Sequence, residues 1–155
     1  MDSFIVYPVA HEIADLARTT RRAPVYGHPV HEELASGTGP CRECLSTFRI
    51  GDERRLLFTY SPFPESTLPQ PGPIFVHAEA CVPHSGKGYP EGLRSIPVMA
   101  QAFRDDGTIA APRRLPMGDE ATLLAELLNE PHVKFVHLRH AEAGCFVARA
   151  ERIAV

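Results

Sequence analysis

Fifteen prolines in 155 residues, about double the ordinary share of ~5%, constrain this chain more than any other feature. Five of them, Pro62, Pro64, Pro69, Pro71 and Pro73, fall in one short stretch. Proline has no amide hydrogen to donate, and its ring fixes φ near about −65°. That stretch therefore cannot be a helix or a central strand, and lying between two apolar runs it reads as an ordered loop. Regular structure must be sought on either side of it.

Upstream, Pro8 to Thr20 has the three-and-four spacing of an amphipathic helix through Val9, Ile13, Leu16 and Ala17, with proline suited to the first turn. Arg21 to Pro40 is polar and rich in Gly and Pro, and reads as loop. Leu45 to Ile50 and Arg55 to Tyr60 read as a hairpin around Gly51-Asp52-Glu53, with Gly51 free to take a positive φ. Downstream, Ile74 to His77 and Ser95 to Phe103 read as strands, and Asp105-Asp106-Gly107 as a turn into Thr108-Ile109-Ala110. Asp119 to Glu130 is the clearest helix: Asp119 suits the N-cap, Leu123, Leu124, Leu127 and Leu128 form one stripe, and Pro131 stops it. Val133 to Leu138 and Cys145 to Ile153 close the chain as strands around Ala141 to Gly144. Many strands with two irregularly placed helices predict an α+β fold, a mainly antiparallel sheet with two flanking helices, in a single globular domain over residues 1–155.

Composition narrows the partners. A formal charge of −3 disfavours nucleic acid, whose binders carry a clear basic excess. No window approaches the ~18 apolar residues of a membrane span, and the apolar run near Met1 is too short for a secretory leader, so a cytoplasmic protein is expected. In that compartment Cys41, Cys44, Cys81 and Cys145 are expected as reduced thiols.

Three groupings carry chemistry. In Pro40-Cys41-Arg42-Glu43-Cys44 two thiols stand at a spacing that suits a redox pair or half a zinc site. A thioredoxin-like motif needs a strand before and a long helix after, and this segment has neither. His77 to His84 contains Cys81, so Cys41, Cys44, His77 and Cys81 together could hold a tetrahedral metal. If residues 141–144 turn a hairpin, His140 lies opposite Cys145, and an imidazole beside a thiol stabilises the nucleophilic thiolate. Cys41, His140 and Cys145 are thus the candidate catalytic groups, while His28 and His31 flank Pro29 in what reads as a solvated loop.

Pro40-Cys41-Arg42, Arg55 to Tyr60, Gly72 to Val76 and the closing Val136 to Ala141 and Gly144 to Arg152 resemble, in order, the bacterial domain-of-unknown-function family 1203. The resemblance implies a small α+β domain in which a Cys-Arg pair and a Gly-Cys-aromatic segment recur, matched here by Cys41, Arg42, Gly144 and Cys145. Cys44 stands where the family often has serine or threonine, and His140 where it often has asparagine. No activity comes with the family.

The leading expectation is a pocket for a small anionic molecule. Arg42 would be its anchor because a planar guanidinium grips carboxylate or phosphate bidentately, with Tyr60, His77 and His137 as further ligand-binding residues and turnover left open. The alternatives are a structural or protein-interaction module, homodimeric or not, in which Arg42 pairs with Glu65 or Glu151, and a metal-binding protein built on Cys41, Cys44, His77 and Cys81. No cofactor is specified by the sequence beyond that metal.

Overall fold

A computed structural model describes residues 3–64 and 69–153. It is a mixed α+β fold with two antiparallel sheets. The larger has the order β1-β8-β7-β5-β6, from β1 (Phe4–Tyr7), β8 (Phe146–Arg152), β7 (Val133–His140), β5 (Val98–Arg104) and β6 (Arg113–Arg114). The smaller has the order β2-β3-β4, from β2 (His31–Leu34), β3 (Arg54–Tyr60) and β4 (Gly72–His77). No helix among the described residues is long and apolar enough to cross a membrane.

Each sheet has its own core. α2 (Glu120–Asn129) lays Leu124, Leu127 and Leu128 over the larger sheet, against Val98, Ala100, Val136, Leu138 and Ala148. Small residues on the central strands let the leucines of the helix seat close to the sheet. α1 (His11–Thr20) packs Ala14 and Ala17 toward the smaller sheet, where Leu56, Phe58, Ile74 and Val76 form the interior with Phe146 from the larger sheet. Phe146 therefore belongs by backbone to one sheet and by side chain to the core of the other.

Several local expectations are corrected. The expected hairpin does not form: β3 pairs with β2 and β4, while residues 45–50 make a turn bridged by Pro40 with Thr47. Gly51 does take the positive φ, at 75°, but to turn the chain into β3 rather than to close a hairpin. His31 opens β2 instead of lying in a loop, although it stays exposed. On α1 the buried stripe is Ala14 and Ala17, and Leu16 is 48% exposed. Asp119 makes no side-chain cap at α2; Glu120 accepts the Gly118 amide instead, at 2.9 Å. The middle of the proline-rich stretch, including Glu65, lies outside the described residues, and Pro73 sits in β4, an edge strand that tolerates a missing donor.

The two cores are joined by residues 40–46. Pro40 to Arg42 runs along β4, where the Arg42 amide donates to the Phe75 carbonyl at 2.9 Å. The chain then turns so that Cys41 enters the small-sheet core and Leu45, at φ 58°, enters the large-sheet core. Gly92, in a single 3₁₀ turn (Glu91–Leu93), presses on this turn: a Cβ there would meet the Leu45 carbonyl and lie 2.7 Å from Ser46 Cα. Both obstacles are backbone, so neither can swing away. Gly92→Ala is expected to destabilise the fold by about 1–3 kcal/mol by chemical denaturation, with the midpoint falling and the slope unchanged.

Candidate metal centre

The knuckle turn after Pro40 holds two of the four groups that converge. The Leu45 amide donates to the Cys41 carbonyl and the Cys41 amide to the Ser46 carbonyl, both at 2.9 Å, which curls Cys41 and Cys44 toward one point. β4 delivers His77 as its last residue, and the following loop returns Cys81. One donor atom from each of Cys41, Cys44, His77 and Cys81 lies within 4.8 Å of all the others. Cys41 Sγ and Cys81 Sγ are 3.8 Å apart, and Cys44 Sγ and His77 Nδ1 are 3.6 Å apart. All four cysteines are free thiols.

Sequence reasoning named these four but missed what surrounds them. The Glu43 side chain is fully buried, accepting from Arg18 Nη2 at 2.7 Å and bonded to His11 Nδ1 at 2.6 Å. Arg18 Nη2 also reaches Cys81 Sγ at 3.7 Å, its Nε donates to the His77 carbonyl at 3.0 Å, and the His77 amide donates to Cys41 Sγ at 3.4 Å. Across the imidazole, His77 Nε2 meets Glu53 Oε2 at 3.0 Å. A faint signal was present: His11, Ala14 and Arg18 share one face of α1 at spacings of three and four, so charge sits in the buried stripe.

Electrostatics follow from three thiols crowded around one imidazole. Hydrogen bonds from Cys44 and then Cys81 hold the Cys41 thiol far below its ordinary range, making it the anionic member. Beside that anion the Cys81 thiol is pushed up and keeps its proton. Hydrogen bonds to Cys41 and then Cys44 raise His77 to about 10, so the ring is a cation at neutral pH. In the absence of another cation, the protonated His77 ring balances the Cys41 thiolate.

The other candidate residues are dispersed. Arg42 is 2% exposed and, unlike the expected pairing, meets no carboxylate among the described residues: Nε donates to the Phe146 carbonyl at 2.8 Å and Nη1 to the Pro40 carbonyl at 2.7 Å. Glu151 takes Arg149 at 3.1 Å, and Glu65 lies outside the described residues. Tyr60 packs on Phe146 and lines a separate small hollow. The expected turn puts His140 and Cys145 in register, with the His140 amide donating to the Cys145 carbonyl at 2.9 Å. Their side chains are engaged elsewhere: His140 Nδ1 accepts the amides of Glu142 and Ala143 at 3.2 and 3.3 Å, and Cys145 Sγ leans 3.8 Å from the Ala143 carbonyl.

His137 is 1% exposed in an aromatic nest, stacked on Phe63 with centroids 4.9 Å apart and surrounded by Phe103, Phe135 and Phe146. Burial first, then the charges of Arg139 and Arg149, lowers its pKa to about 3.

The chain belongs to the family described as "Protein of unknown function (DUF1203)", whose model matches residues 38–152. The match begins just before the knuckle and takes in the whole four-residue cluster. Neither the curated proteins nor the solved structures contain a match.

The unfolded chain protonates His137 near its ordinary value and the folded chain does not until about pH 3, so the native state loses stability as pH falls through that window. The slope is about half its limit at pH 6.5 and approaches about 1.4 kcal/mol per unit by pH 5. His137→Phe is expected to remove that part of the slope, read from urea denaturation at pH 7 and pH 5; an unchanged slope would show that the ring is charged in the fold.

Proposed function

We propose that this protein binds one zinc ion through Cys41, Cys44, His77 and Cys81, in a closed site that clamps the knuckle turn, β4 and the loop after it. The observation that carries this reading is the spacing of the donors. With zinc–sulfur bonds of about 2.3 Å and zinc–nitrogen bonds of about 2.05 Å, tetrahedral edges are about 3.8 Å between sulfurs and about 3.6 Å between sulfur and nitrogen. Those are the separations of Cys41 from Cys81 and of Cys44 from His77. Disulfides would need sulfurs at about 2.05 Å, and ordinary core side chains have no reason to bring three thiols and an imidazole together.

The donor set points the same way. Thiolates and imidazole suit zinc better than magnesium or calcium, and four protein ligands leave no open position for substrate. A dication would balance the thiolate charge that His77 otherwise meets by taking a proton. Glu53 on His77 Nε2 is the carboxylate partner that orients a ligating imidazole with Nδ1 toward the metal. Arg18 and the His77 amide, directed at Cys81 and Cys41, temper charge on the sulfurs. Such a site is structural: its binding energy is folding energy for a loop-rich region with little helix or strand of its own.

Purified protein is expected to carry one zinc and no stoichiometric iron by elemental analysis. Cobalt substitution is expected to give the intense visible bands of a tetrahedral, thiolate-ligated ion. Cys81→Ser should lose the metal, and Glu53→Gln should keep it with affinity about tenfold weaker. Protein expressed in zinc-supplemented medium that holds no metal, and whose four thiols alkylate at one common rate, would end this reading.

A further inference from the structure

A cavity of about 310 Å³ opens beside Arg42, with His140, Cys145, Ala143, Leu57 and Phe75 among its walls. Its volume is at the lower end of small-molecule sites, and like them it has apolar walls with a few polar groups.

Charge makes the cavity informative. Guanidinium stays protonated, and burying it without an anion is costly. Arg55 and Arg18, the other arginines with little exposed side chain, each pair with a carboxylate, Glu33 and Glu43. Arg42, at 2% exposed the most buried of the three, has among the described residues only the Phe146 and Pro40 carbonyls, whose dipoles solvate its charge without neutralising it. Those bonds use Nε and Nη1, and Nη2 makes no hydrogen bond among the described residues. Among the described residues no acidic side chain lines the cavity. The second polar wall is also a donor: with Nδ1 accepting two turn amides, a neutral His140 carries its proton on Nε2.

We propose that this cavity binds a small monocarboxylate with an apolar body, its carboxylate held by Arg42 and His140 and its body against Leu57 and Phe75. A monocarboxylate fits better than a phosphate ester because one guanidinium and one imidazole offer a single anion's worth of donors, while the remaining walls are apolar. Binding the anion supplies the counter-charge that the fold omits. The site does not depend on the metal reading, since Arg42 is placed by its own hydrogen bonds.

The test uses the purified full chain, followed by amide NMR during titration with benzoate or hexanoate, and with benzamide as the neutral shape control. Benzoate or hexanoate is expected to shift the Gly39, Ala143 and Cys145 amides with a Kd of about 1 mM or tighter, and benzamide at least tenfold more weakly. Ala143→Phe, at an exposed rim position, should abolish the shifts while leaving the melting temperature unchanged. Arg42→Lys should weaken binding severalfold if it folds. Equal binding of benzoate and benzamide, shifts that survive Ala143→Phe, or no shift with either carboxylate at about 10 mM, where a 1 mM site would be nine-tenths filled, would each overturn the proposal.

Discussion

The hydrogen bond from the Arg42 amide to the Phe75 carbonyl is the contact on which the arrangement rests. β4 is an edge strand, and its free carbonyls would otherwise face solvent. Residues 40–42 cover that edge, and in doing so bring Cys41 level with Phe75 and next to His77, thirty-six residues away in sequence. The Arg42 carbonyl then takes the Val9 amide, tying in the start of α1, while its side chain reaches the Phe146 carbonyl on β8. One short segment thus touches α1, the small sheet and the large sheet.

Consecutive residues of an extended segment face opposite ways, and this explains why the thiol cluster and the cavity beside Arg42 take side chains of different character. Cys41 turns into the thiol cluster and Arg42 away from it, toward β8 and the cavity. The cluster carries its negative charge on sulfur, and the buried Glu43 beside it accepts from Arg18 and Cys81 and bonds His11. The cavity has Arg42 in its wall and no acid among the described residues. Local charge therefore separates across a single peptide bond, although the whole chain is close to neutral at −3.

Much of the fold was legible in the chain. The leucine stripe of α2, the closing pair β7 and β8 with its turn at 141–144, and the strand at 74–77 all rest on short-range periodicity and turn chemistry. The expected hairpin at 45–60 failed for a physical reason. Apolar content suits a strand and a core-entering turn equally, and Leu45 is buried by positive φ rather than by strand alternation. β2 was invisible because His31-Glu32-Glu33-Leu34 has no apolar face; it is held by backbone bonds to β3 and by Glu32 and Glu33 meeting Arg54 and Arg55. The four sulfur and nitrogen donors were nameable as residue types, but their ring of hydrogen-bonded charges was not.

By itself the sequence determined the residue chemistry and the local elements: where proline forbids helix, where leucines repeat at helical spacing, and which side chains can bind metal or grip an anion. Tertiary structure alone decided which of these meet. Cys41, His77 and Cys81 converge, Cys145 stands apart, and Arg42 meets no acid among the described residues, because pairing across a sheet edge depends on backbone partners distant in the chain, and no local pattern encodes them.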